Sequence, residues 1–147
     1  MIHNPITRLE QLTITGTAKI FLKETAKWGK FLSVIGFILI GLMLILAAFS
    51  TTIFDMVGKM QPGIPENMGL TMSITYLFLA FIYFFPVYYL LQFSNKMKKA
   101  LATKNDEALA KSFEMLKSHY KFIGVFTIIT ISLYVLIIVA ATFGSMF

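Results

Sequence analysis

LTMSITYLFLAFIYFFPVYYLLQFSNKMKKALATKNDEALAKSFEMLKSHYKFIGVFTIITISLYVLIIVAATFGSMF, residues Leu70–Phe147, is two apolar runs joined by a polar but patterned bridge. No charge occurs from Asn67 to Asn95, and none from Phe122 to Phe147. Each run exceeds the ~20 apolar residues that cross a ~30 Å hydrocarbon core. Through the bridge, Lys96–Lys121, and the turns that flank it, apolar residues recur by threes and fours: Leu90, Phe93, Met97 and Leu101 on the way out, then Leu109, Phe113, Leu116, Tyr120 and Ile123 on the return. That is the period of helices with one buried stripe. The pattern breaks at Thr103–Asp106, where Asn105 suits an N-cap and Asp106 and Glu107 suit the first turn of a helix. The reading is a helical hairpin that leaves the membrane, turns and re-enters it. The stripe Leu109, Phe113, Leu116 and Tyr120 is expected to be covered: Met97 and Leu101 of the opposite arm are too few for the whole row, so the N-terminal helix covers it at least partly through Ile14, Phe21 and Trp28, a partner being the other candidate.

Working outward, the rest of the chain fits the same class. Of its 147 residues, 57% are hydrophobic, and the mean hydropathy is +0.77. Three charge-free runs account for this, and the short alternating strands of a spanning barrel are absent. The expected fold is therefore an all-α membrane protein. It has three transmembrane helices, an N-terminal amphipathic helix and a cytoplasmic helical hairpin between the second and third spans. The boundaries are 13–30 for the amphipathic basic helix, 31–52 for the first span and 53–69 for an extracytoplasmic loop. They continue with 70–93 for the second span, 94–120 for the hairpin and 121–145 for the third span, in a single membrane domain. The first apolar run begins at Phe31 and is too long for a signal-peptide core, so it reads as a retained signal anchor. With no cysteine, thiolate and disulfide chemistry are excluded.

The first helix carries two faces. Ile14, Ala18, Phe21, Thr25, Trp28, Leu32 and Ile35 step by fours and threes, and Lys19, Lys23, Lys27 and Lys30 lie opposite. Such a helix suits a membrane surface, lysines toward lipid phosphates. Lys96, Lys98 and Lys99 extend the lipid-facing basic set. Gly29 with Ser33, Gly36, and Ala140 with Gly144 are small residues at spacings that let membrane helices approach closely. They are candidate helix-packing positions, for self-association among others. Pro86 interrupts the aromatic second span and should kink it, because it removes a backbone donor and crowds the carbonyl of Ile82.

Charge gives topology. Arg8 and the first-helix lysines precede the first span; Lys96, Lys98, Lys99, Lys104, Lys111, Lys117 and Lys121 lie between the second and third. Lys59 alone lies on the other side. The positive-inside rule then places the N-terminus and the hairpin in the cytoplasm and the C-terminus outside. The formal charge of +6 belongs to that face, where attraction to anionic lipid explains it without a nucleic-acid partner.

Chemistry-bearing patterns are few. No span holds an ionisable residue at its centre, which disfavours proton- or ion-coupled transport. His3 and His119 have no acidic or thiol companion at ligand spacing, and no nucleophile–base pair, phosphate loop or zinc pattern occurs. The expectation is a non-enzyme with no catalytic residue, metal or cofactor. Met56, Met60, Met68 and Met72 gather near the first loop; as soft donors they would suit Cu(I), but they read better as apolar filler.

The run Phe84-Phe85-Pro86-Val87-Tyr88-Tyr89-Leu90-Leu91-Gln92-Phe93-Ser94, with Ala100-Leu101, Asn105-Asp106, Leu109, Phe113, Leu116-Lys117 and Lys121-Phe122-Ile123-Gly124, resembles a family of small uncharacterised bacterial inner-membrane proteins with a domain of unknown function. The resemblance covers the second half of the chain and the amphipathic approach to the first span. It implies a bacterial inner membrane and carries over no activity. Two functional expectations follow. One is a scaffold or accessory subunit of an inner-membrane assembly, with anionic lipid, further copies or a larger membrane complex as partners. The other is an oligomeric channel or small transporter with its path along the second span.

Overall fold

The computed structural model describes residues 14–61 and 63–144. The C-terminus at Phe147, whose side of the membrane is expected above, lies outside the described residues, as do residue 13, the final residue of the third expected span at 145, and Arg8 and His3. Among the described residues there are three α-helices and no strand: α1 (Gly16–Met60), α2 (Met68–Thr103) and α3 (Asp106–Gly144). Each is long and apolar enough to cross a membrane.

The helices overshoot a bilayer. At ~1.5 Å per residue, the 45, 36 and 39 residues of α1, α2 and α3 reach about 67, 54 and 58 Å. A hydrocarbon core takes only ~30 Å of this. Lys19, Lys23, Lys27 and Lys30 lie toward the start of α1, and the lysines of the bridge lie toward the end of α2 and in the first half of α3.

Local chemistry sets the ends. Thr15 Oγ1 accepts from Ala18 N at 3.2 Å and starts α1. The helix continues to Met60, so the connection to α2 is residues 61–67 and shorter than the expected loop at 53–69. Nothing in the sequence stops α1 earlier: Gly58 alone is a weak helix former, and the strong breakers begin after Met60. Gly63 then takes φ +113°, a conformation that suits glycine. At the other turn, Lys104 adopts the left-handed conformation with φ 52°, and Lys104 N and Asn105 N both donate to Ala100 O. Asn105 Oδ1 accepts from Ala108 N at 2.9 Å and starts α3, with Asp106 and Glu107 in its first turn.

Packing is α1 on α2 and α2 on α3, with α2 in the middle. The α1 side of the first contact is Ala26, Gly29, Ser33, Ile40, Ala47 and Ser50. With Gly36 these positions follow the three–four steps of a seven-residue repeat, the pattern of helices that wind around each other. The facing residues of α2 run in the opposite direction: Met97 beside Ala26, Ser94 beside Gly29, Val87 beside Gly36, Ser73 beside Ala47 and Gly69 beside Thr51. On the α1 side nearly every residue of this seam is small, so α2 comes close. A Cβ at Gly36 would sit 2.6 Å from Val87 Cγ2, and one at Gly69 would sit 2.7 Å from Thr51 Cα.

Serine suits such a seam. Ser33, Ser50 and Ser94 are buried, and each hydroxyl donates back to a carbonyl of its own helix. Ser73 differs by donating across the seam to Ala47 O at 2.7 Å. No buried side-chain polar atom among the described residues lacks a partner, which is what a lipid-facing protein requires.

The expected stripe Leu90, Phe93, Met97 and Leu101 lies on the buried face of α2, but those of α1 and α3 do not coincide with the buried faces. Phe21 and Trp28 are 63% and 65% exposed, and Leu32 and Ile35 are exposed too, while Ala26 is fully buried. On α3, Phe113 and Tyr120 are exposed and Ser112 is buried between Leu109 and Met115. From 131 to 144, about a third of α3, every residue is exposed. An apolar helix exposed all round belongs in lipid.

Candidate functional site at the lysine-rich helix ends

The three helices come closest together at the lysine-rich end. Ala26 of α1 and Phe93 and Met97 of α2 are buried there as a cluster, and Leu22, Leu90, Leu101, Leu109, Met115 and Leu116 close around it. The α2–α3 turn fastens the cluster from one side: Ser112 Oγ lies 3.9 Å from Met97 Sδ and donates to Leu109 O at 2.7 Å. Further along the pair, Phe85 stacks on Phe122 with ring centres 5.8 Å apart.

Pro86 is buried at the α2–α3 contact. His119 Nδ1 lies 2.8 Å from its carbonyl oxygen. A carbonyl only accepts, so Nδ1 carries the proton and donates. This bond joins the two helices at the proline. His119 also meets Tyr120 edge-on, with centres 5.5 Å apart.

Two grooves flank the cluster. One, of about 410 Å³, lies over α2 between the aromatic faces of α1 and α3, where Trp28, Leu90, Phe93, Leu116, His119 and Tyr120 line it. The other, of about 700 Å³, lies between α1 and α2 and is lined by Ile20, Lys23, Glu24, Lys27, Lys98, Leu101 and Ala102. A further hollow of about 450 Å³ lies between α2 and α3 beside Tyr89, Lys121 and Phe122.

The basic residues divide accordingly. Lys23, Lys27 and Lys98 share the second groove; Lys19, Lys30 and Lys99 are exposed outside it, and Lys96 is half-buried. Among the described residues the one ion pair is Lys111 Nζ to Glu107 Oε1 at 2.7 Å, fully on the surface. The hydrogen bond from Lys111, and then its charge, hold the Glu107 carboxyl below its ordinary range. The same bond and the Glu107 charge push the Lys111 ammonium up.

The small residues also divide. Gly29, Ser33 and Gly36 are used inside the molecule, against Ser94, Leu90 and Val87. Ala140 is exposed, and nothing lies within 4 Å of a Cβ placed at Gly144. Leu109 and Leu116 are half-buried against the cluster. No group of three or more His, Cys, Asp or Glu side chains gathers as a metal site among the described residues.

Three structural residues escape sequence reasoning. His119 has a backbone carbonyl 33 residues away as its partner, which no side-chain spacing reveals. Ser73 has a carbonyl on another helix. Gly69 could have been found, because it opens the second apolar run where a small residue permits close approach. No curated protein and no solved structure matches the chain. A family model does match, over residues 68–142, which takes in α2 and all but the last two residues of α3. On that match, which spans the middle helix, its turn and the third helix, the chain belongs to the family of unknown function DUF5362.

Proposed function

We propose that this protein is a non-catalytic integral membrane scaffold, or an accessory subunit of a bacterial inner-membrane assembly. The observation that carries the reading is α3 from 131 to 144, exposed on all sides while α1 and α2 are joined along a seam of small residues. That half-span offers a continuous apolar surface, with Ala140 and Gly144 on it, where a further membrane helix approaches closely. The lysine asymmetry orients the molecule with its N-terminus and the α2–α3 turn in the cytoplasm. The amphipathic start of α1 and the overhanging ends of α2 and α3 then form a short cytoplasmic helical platform against anionic headgroups.

A path for solute along α2 gains less support. Pro86 is buried and its carbonyl accepts from His119, and the α2 face toward α1 is filled by Val87, Leu90, Phe93 and Ser94. The test of the scaffold reading is a photo-crosslinker placed at Leu136 in native membranes. A discrete adduct with another membrane protein, or with a second copy, supports it. Adducts with lipid only, from Leu136 and from Gly144 alike, refute it. A reporter fused at Phe147 that is active on the cytoplasmic side refutes the orientation.

A further inference from the structure

The groove between α1 and α2 has a chemistry of its own. Lys23 and Lys27 stand one turn apart on α1, and Lys98 reaches the same space from α2. The register that brings them together is fixed beside the groove, where Ala26 and Met97 are both fully buried. Glu24 is the one carboxylate in the lining. Among the described residues none of the three lysines is in an ion pair, although three cations and one anion share about 700 Å³. Like charges one turn apart repel, and an anion between them removes the penalty.

Depth narrows the anion. Lys27 stands four residues before Phe31, where the charge-free run of α1 begins, and Lys98 three residues after Asn95, where that of α2 ends. The offsets are roughly 6 Å and 4.5 Å of helix. The headgroup layer outside the hydrocarbon is about 5–8 Å thick on each side. Lys27 and Lys98 therefore sit at the depth of lipid phosphates, with Lys23 one turn further out. An ammonium is a compact three-donor charge suited to phosphate oxygens, without the flat fork that pairs with carboxylates.

We propose that Lys23, Lys27 and Lys98 form a phosphate-binding groove at the membrane boundary, occupied by the phosphate of an anionic glycerophospholipid. The site is a pocket with a defined register and is separate from the diffuse field of the remaining lysines. It stands whether or not the scaffold reading holds.

The test uses the full chain reconstituted in phosphatidylcholine bilayers, with spin-labelled phosphatidylglycerol and spin-labelled phosphatidylcholine as probes. The unmodified protein should prefer the anionic probe by roughly fivefold or more, the effect of about one well-placed lysine or better. Lys23→Gln/Lys27→Gln/Lys98→Gln should abolish most of that preference. Lys104→Gln/Lys117→Gln/Lys121→Gln removes the same charge from the same end of the molecule and should keep most of it. Equal losses in the two triple variants overturn the proposal and leave only a general surface charge. Circular dichroism and elution in detergent show whether either variant has unfolded; Lys98→Gln alone, with a partial loss, then serves in place of the triple. Inorganic phosphate separates the two sources of the group. If it does not compete, the occupant is a lipid headgroup as proposed. If millimolar phosphate binds saturably to the protein in phosphatidylcholine and displaces the anionic probe, the groove takes soluble phosphate and the lipid assignment falls.

Discussion

Gly36→Ala is the most direct probe of the α1–α2 seam. The added Cβ would lie 2.6 Å from Val87 Cγ2 and 2.9 Å from Val87 Cγ1. Carbon atoms pack at about 3.5–4.0 Å, so roughly 1 Å has to be found. Val87 cannot supply it by rotating. It is β-branched and stiff at χ1, and turning it exchanges one crowding methyl for the other. The helices have to separate instead, and overpacking of this kind costs about 1–3 kcal/mol. Replacing glycine by alanine within a helix also returns up to ~1 kcal/mol of propensity, which obscures the absolute value. Gly41→Ala supplies the reference, because nothing lies within 4 Å of a Cβ at Gly41. Gly36→Ala should therefore be about 1–3 kcal/mol less stable than Gly41→Ala in reversible unfolding by sodium dodecyl sulfate in mixed micelles. In a Val87→Ala background the penalty should largely vanish, giving a coupling between the two positions. Equal stabilities for Gly36→Ala and Gly41→Ala, with no coupling to Val87, would refute close packing at this turn.

Ser73→Ala removes the hydroxyl that donates to Ala47 O at 2.7 Å, and should cost about 0.6 kcal/mol, at most ~1.7, in the same titration. His119→Phe keeps an aromatic ring but loses the donor to the Pro86 carbonyl, for a loss of about 1 kcal/mol. Nitrogen chemical shifts of His119 should show a proton on Nδ1, and a neutral ring protonated only at Nε2 would contradict the bond. The Glu107–Lys111 pair gives a pH prediction with two edges. The lowered Glu107 contributes above its ordinary 4.5 and loses that contribution as pH falls through its folded value; the raised Lys111 contributes below its ordinary 10.5 and loses it as pH rises through its folded value. Both groups are fully exposed, so Lys111→Met should leave unfolding at neutral pH unchanged within error, and any difference should fade with added salt.

The spans were legible because their signal is a length. A run such as Asn67–Asn95 without charge reads the same whatever packs around it. The turn at Lys104 and Asn105 was legible because its cap is local, from Asn105 to Ala108. The buried face of α2 near the turn was legible in Phe93 and Met97, but those of α1 and α3 were not, and for the membrane part of α1 the reason is the solvent. In water, the stripe Phe21, Trp28, Leu32 and Ile35 would turn inward, since burial of large apolar side chains drives folding. In lipid, side chains such as Leu32 and Ile35 gain nothing by leaving the acyl chains, and association depends on how closely backbones approach. Ala26, Gly29, Ser33 and Gly36 therefore face α2, and the aromatic residues face outward. On α3 Ser112 is buried while Phe113 and Tyr120, beside Lys111, Lys117 and Lys121, are exposed, and lipid as solvent does not account for them. Close approach also separates the two kinds of small residue named from spacing alone. Gly29, Ser33 and Gly36 belong to three–four steps that recur along the helix and are filled from α2 by Ser94, Leu90, Phe93 and Val87, whereas Ala140 and Gly144 are an isolated pair with open space around them. For a helix at membrane depth, the face to follow is the one with the smallest side chains sustained over several turns. Read that way, Ala26 to Ser50 points to α2 and leaves α3 as the helix with an unfilled face.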